Sequence, residues 1–284
     1  MSGIEIRALG AAVRIATSHA RLVDDLRRVF RCFDVADTPH GMTPEADLRV
    51  EPGEGGAFTF ARAGSPPLTT TEYPYLVASI AYDVYGRIRA RANDHLLLHA
   101  GAVAWADDAV LLVGDKERGK STLVAHLVKE GHDYLTDDMT PVRLDDGLVE
   151  AFPRAIDLRG DSPRLLAPTG DRITIYPYAA GEAAYPGRYA LPSSDAVRRA
   201  PARPSVVVFS RWVKGATASL RPVGRAEAGG VLAQASANLQ RLGERGFDAV
   251  TRLAASTRAF RLEYDALGDA GARVDEAFDS MRRG

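Results

Sequence analysis

The feature that most restricts how this chain can fold is Gly114-Asp115-Lys116-Glu117-Arg118-Gly119-Lys120-Ser121, which fits the pattern G-x-x-x-x-G-K-[ST]. It follows the apolar segment Val110 to Val113 and opens a stretch in which Leu123, Leu127 and Val128 repeat with helical period. A strand, a loop and a helix are therefore expected in that order. The residue types suit phosphate: glycines let backbone amides close around oxygens, the helix N-terminus adds a positive dipole, Lys120 reaches the terminal phosphates, and Ser121 suits magnesium. Gly114, Asp115, Lys116, Glu117, Arg118, Gly119, Lys120, Ser121 and Thr122 are the candidate nucleotide-binding residues. The loop alone does not separate kinase, GTPase and transporter ATPase. Asp157-Leu158-Arg159-Gly160 mimics the DxxG box of GTPases, but neither of the two asparagines, Asn93 and Asn238, precedes a lysine, so no N-K-x-D box exists. No LSGGQ-like segment occurs, and kinase leads.

Composition bounds the rest. With 284 residues, 46% hydrophobic, the chain has material for one large or two modest domains with a buried core. A net charge of -1 removes the electrostatic case for a nucleic-acid or anionic-membrane binder. The only cysteine, Cys32, allows neither an internal disulfide nor a cysteine-based zinc site, and the N-terminus has no signal-peptide core, so a cytoplasmic protein is expected. Three of the four lysines, Lys116, Lys120 and Lys129, fall in and just after the phosphate loop.

Residues 1–72 alternate short apolar segments with turn clusters and read as a strand-rich N-terminal unit. Leu76, Ile80, Val84 and Ile88 recur every four residues and predict a helix over 73–93. The apolar runs Leu96 to Trp105 and Ala109 to Val113 read as paired strands, and a strand is expected over His132 to Thr136 after a helix closed by Gly131. Residues 224–284 read as helical, through Val231, Leu232, Leu239 and Leu242, then Val250 to Phe260 and Val274 to Met281.

Around the loop, His99-Ala-Gly-Ala-Val and Val128-Lys129-Glu130-Gly131-His132-Asp133-Tyr134-Leu135-Thr136-Asp137-Asp138 keep a gapless register, with His99 lying 21 residues before Lys120 and Asp138 lying 18 after it. This block, residues 99–160, resembles the core of HPr kinase/phosphorylase, and still more its divergent relatives among peptide-modification enzymes, including lasso-peptide kinases. The resemblance implies an α/β fold with a P-loop kinase core over 73–223, between the N-terminal unit and the C-terminal helices. It implies Asp138 as the general base, supported by His99, with Asp137 orienting its neighbour and Lys120 on the phosphates. It implies magnesium on Ser121 and on Asp157, whose element Ile156-Asp157-Leu158-Arg159-Gly160 resembles the family's IEIRG, and Arg159 on the transferred phosphoryl group. ATP and magnesium are the expected cofactors and a serine or other hydroxyl of a peptide or small protein the expected acceptor, with a homo-oligomer compatible with the family and no nucleic-acid or membrane partner.

The chain also departs from the family. Lys116-Glu117 stands where the family has Ser-Gly, setting a carboxylate near anionic phosphate, and the downstream PVKPGRN signature shrinks to Tyr185-Pro186-Gly187-Arg188. The N-terminal third shows no such resemblance. Two alternatives stay open at this point: a small-molecule hydroxyl kinase on the same core, and a nucleotide-binding regulatory module with degraded catalysis.

Overall fold

A computed structural model describes residues 2–37, 47–62, 64–114, 119–176 and 187–282. The chain divides into two compact units, the first running to Ala92 with residues 176–189, the second comprising Asn93–Ile175 and the chain from Ala190 onward. Among the described residues no helix is long and apolar enough to cross a membrane.

The first unit is a sheet backed by two helices. Its elements are β1 (Ser2–Ala8), β2 (Ala11–Thr17), α1 (Ala20–Val29), β3 (Asp34–Asp37), β4 (Leu48–Pro52), β5 (Phe58–Arg62), β6 (Ser65–Thr70) and α2 (Tyr73–Arg91). The strands lie in the order β3-β1-β2-β4-β5-β6. Alternation along them turns Ile4, Ile6, Val13, Ile15, Leu48, Val50 and Phe60 into the core, where they meet Leu22 and Leu26 of α1 and Leu76, Ile80, Val84 and Ile88 of α2. The fourfold spacing expected of α2 is thus its buried stripe.

The second unit contains β7 (His95–Leu98), β8 (Ala100–Trp105), β9 (Asp108–Val113), α3 (Lys120–Lys129), β10 (Asp133–Thr136), β11 (Thr140–Arg143), β12 (Ile156–Arg159), α4 (Ser162–Leu165), β13 (Ile173–Tyr176) up to Ile175, β14 (Gly187–Pro192) from Ala190, β15 (Arg203–Trp212), β16 (Ser219–Val223), α5 (Arg225–Ala235), α6 (Leu239–Leu242), α7 (Glu244–Ser256), β17 (Arg258–Tyr264) and α8 (Leu267–Arg282). Its main sheet runs β10-β8-β9-β15-β17-β16, with β9, β15 and β17 mutually parallel and β8, β10 and β16 antiparallel to their neighbours. Helices α3 and α8 pack together and lean on the sheet, while Val207, Phe209, Leu111 and Val113 join Leu232, Val250 and Leu253 of α5 and α7 in one apolar cluster. Strands covered by helices in this way, with near-continuous apolar runs such as β9 and β15, make an α/β fold.

Two expectations are corrected. The C-terminal region is not wholly helical: α7 stops at Ser256, and Arg258–Tyr264 enters the sheet between β15 and β16. The helical period is lost there: Leu262 and Tyr264, two apart, are buried on one face of the strand, Ala259 is buried on the other, and Arg258 and Arg261 are exposed. The apolar run Leu96 to Trp105 is also two strands. β7 pairs with β11, β8 pairs with β9 and β10, and His99 stands at the junction, its backbone N–H donating to Ala235 O at 2.7 Å.

Candidate phosphate-binding site

The site gathers at the C-terminal end of β9, an interior strand of the main sheet. Gly114 follows β9 and passes so close to β15 that a Cβ there would lie 2.7 Å from Ser210 O. Gly119 caps α3 at φ +83°, and a Cβ on it would lie 2.6 Å from Tyr264 Oη, so both conformation and space require glycine. No side chain caps α3, leaving its first-turn amides to other acceptors. Asp115, Lys116, Glu117 and Arg118 lie outside the described residues, as do Tyr185 and Pro186.

Lys120 is buried at 6% exposure, and its ammonium donates to Gly114 O at 2.6 Å. The same nitrogen lies 3.4 Å from His99 Nε2. His99 Nδ1 in turn sits 3.0 Å from Asp138 Oδ1 and 3.2 Å from Asp138 O. These contacts agree if Nδ1 carries the proton and Nε2 accepts from Lys120. Asp138 Oδ2 accepts from Arg154 Nη1 at 2.8 Å. The hydrogen bond from His99, joined by Arg154 and Lys120, holds the Asp138 carboxyl well below the usual carboxylate range despite its burial penalty.

Asp137 lives in the opposite environment. It is 1% exposed, and neither carboxylate oxygen has a hydrogen bond of ordinary geometry, although the Ser121 hydroxyl is near enough to favour the ionised form. Burial pushes its pKa up to about 6, against the pull of Arg154 and Lys120. The backbone separates the two carboxylates: Thr136 ends β10, and Asp138 adopts φ +66°, a left-handed conformation that aspartate tolerates better than most residues.

His99, Lys120, Asp137 and Asp138 are therefore neighbours. Thr122 Oγ1 lies 2.8 Å from Ser162 Oγ of α4. Asp157 and Arg159 pair with each other on β12, Arg159 Nη2 lying 3.0 Å from Asp157 Oδ2. A cation held by this chain would have Ser121 and Asp137 for ligands, and the orphaned buried carboxylate fits that use. Magnesium ordinarily takes one or two carboxylates and completes its shell with water and phosphate, so the absence of a three-residue ligand cluster among the described residues does not count against it. Sequence reasoning missed Arg154. It is brought in by the bridge between Thr136 and Phe152 and by Tyr134 Oη donating to Arg154 O at 2.7 Å, and nothing local marks it among the arginines.

No protein-family model matches the chain, and no curated protein does. Among solved structures, the Hpr(Ser) kinase/phosphatase from Coxiella burnetii aligns with 63% of this chain and 95% of its own at 11% identity and a TM-score of 0.30. A likeness of that size fixes neither fold nor function.

Proposed function

We propose that this protein is an ATP- and magnesium-dependent kinase that transfers the γ-phosphate to a serine or other hydroxyl of a peptide or small protein. The observation carrying this reading is the buried Lys120 at the head of a glycine-capped helix, in contact with a His99–Asp138 pair and beside the orphaned Asp137 carboxylate. Phosphoryl transfer is chiefly positioning and charge neutralisation, and this cluster supplies a fixed cation, a helix N-terminus and two carboxylates.

Lys120 and the first amides of α3 hold the terminal phosphates. Ser121 and Asp137 would hold magnesium, which when bound neutralises charge on the phosphates. Asp138, with its side chain 46% exposed, is reachable from solvent where Asp137 is not, which favours it as the group meeting the acceptor hydroxyl. His99 and Arg154 each hold one of its oxygens and so orient it, leaving lone pairs through which Asp138 takes the hydroxyl proton as the new O–P bond forms and the bond from the γ-phosphorus to the ADP oxygen breaks. Its low basicity is tolerable because a loose transition state asks little of the base until the bond is nearly made. The exposure of Asp138 also suits an acceptor borne on a larger molecule.

The test is single-turnover transfer from γ-labelled ATP, with magnesium, to a panel of serine- and threonine-containing peptides. Label should pass to a hydroxyl in wild type and be lost in Lys120→Ala. Near-normal transfer by that variant would remove the reading.

A further inference from the structure

Two aromatic residues, Trp212 and Tyr264, lie against Gly119 without a part in the transfer itself. Phe209 of β15 pairs with Val113, the last residue of β9, but β15 and β17 continue through Ser210, Arg211 and Trp212 opposite Leu262, Glu263 and Tyr264. Three further rows at about 3.3 Å each extend the sheet by about 10 Å past the last residue of β9. Side chains alternate along a strand, so Trp212 is on the same face as Ser210, whose Oγ would lie 3.6 Å from a Cβ on Gly114. A Cβ on Gly119 would lie 3.3 Å from Trp212 Cβ. Trp212 therefore stands against the loop's exit, on the loop's side of the sheet.

Its indole is fixed by its polar edge. Trp212 Nε1 donates to Asp265 O at 3.2 Å, Val213 N donates to Tyr264 O at 2.8 Å, and Gly215 N donates to Asp265 Oδ2 at 2.8 Å. The residue is nonetheless 43% exposed. A large ring with its polar edge satisfied and much of its surface in water is pre-organised to stack.

Strand order decides what would stack there. In β10-β8-β9-β15-β17 the loop follows the central β9, while His99, Asp137 and Asp138 belong to the β8 and β10 side and Trp212 to the β15 and β17 side. A nucleotide with its β- and γ-phosphates at Lys120 and its terminal phosphate facing Asp138 must carry its base the other way, across the overhang. We propose that Trp212 is the stacking platform for the nucleobase of the bound nucleoside triphosphate. The assignment rests on the proposed phosphate site and extends it to the other end of the ligand.

Calorimetric titration with Mg-ATP and with Mg-tripolyphosphate, which has the phosphates but no base, separates the two. Trp212→Ala should weaken Mg-ATP about 5- to 150-fold, the range for loss of one base–aromatic stack, and leave tripolyphosphate within about twofold, while Trp212→Phe keeps most of the affinity. An unchanged Mg-ATP affinity, or an equal loss for both ligands, overturns the platform. Loss of tripolyphosphate binding in Lys120→Ala would leave the phosphate site standing in either case, whereas a wild type that binds neither ligand removes both. Should Trp212→Ala not fold, the chain's two tryptophans give a second measurement. In Trp105→Phe, emission from Trp212 should be quenched by Mg-ATP and not by Mg-tripolyphosphate, and an equal response to both overturns the assignment.

Discussion

Replacing Asp137 by asparagine should stabilise the nucleotide-free protein and abolish its response to magnesium-ATP. The carboxylate is 1% exposed, has no hydrogen bond of ordinary geometry on either oxygen beyond the nearby Ser121 hydroxyl, and has its pKa raised from 3.8 to about 6 chiefly by burial. At 1.36 kcal/mol per pH unit that displacement makes the ionised form cost about 3 kcal/mol at pH 7. The sign follows from proton uptake. Between 3.8 and about 6 the folded protein holds a proton that the unfolded chain has released, so the penalty is absent below that window, grows through it, and is constant above it. Asparagine keeps the shape and, like the protonated acid, buries a neutral polar group, so charge is what changes. In EDTA, denaturant unfolding should show Asp137→Asn more stable by about 3 kcal/mol at pH 7 and by roughly half as much at pH 5. Magnesium-ATP at about 100 times its Kd should then stabilise wild type by about 2.7 kcal/mol and leave the variant unmoved. A variant less stable than wild type at pH 7, or a gap that does not narrow at pH 5, would refute the reasoning, because it would mean that the carboxylate already has a partner.

Asp138→Asn should bind magnesium-ATP nearly as wild type but slow single-turnover transfer by about 10²- to 10⁴-fold, and asparagine is at home at φ +66°, so backbone strain is not added. If Asp138→Asn instead loses magnesium-ATP while Asp137→Asn loses only turnover, their roles are exchanged. His132, 2% exposed, lies between Trp105 and Phe278 with Nε2 2.9 Å from Asp275 Oδ1, and burial outweighs Asp275 to push its pKa below 6.5. The unfolded chain takes a proton that the folded protein refuses, so stability should fall as pH drops through 6.5, by at most about 1.4 kcal/mol per pH unit, and His132→Gln should flatten that slope in denaturation between pH 7.5 and 5.5; equal slopes would exclude it.

What the chain discloses locally, it discloses well. The helix α2 and the pairing of β8 with β9 follow from period and turn residues, which act over a few positions and need no knowledge of the rest of the fold. Failure comes where a short element hides within a longer pattern. β17 has seven residues between two helices, and its alternation shows only in Leu262 and Tyr264, with Ala259 buried on the opposite face. The break between β7 and β8 is set by which strands lie alongside, a property of the sheet, so the continuous apolar run gave no sign of it.

The candidate site divides along the same line. His99, Lys120 and Asp138 were legible because they stand just before β8, at the start of α3 and just after β10, elements that are neighbours in space, so fixed spacing carries over into contact. Arg154 and Trp212 reach the site through a bridge to Phe152 and through the length of β15, and neither can be read from its flanking residues. The division between Asp137 and Asp138 is subtler. A motif asks only for two acids in succession, yet one is driven up in pKa and the other down. The left-handed residue at Asp138 ends the strand alternation there, leaving one acid in the interior, where a cation would relieve it, and the other at the surface between His99 and Arg154. That turn places a buried carboxylate and a solvent-reachable one on consecutive residues, a separation that the two proposed roles require and that asparagine at either position would test independently.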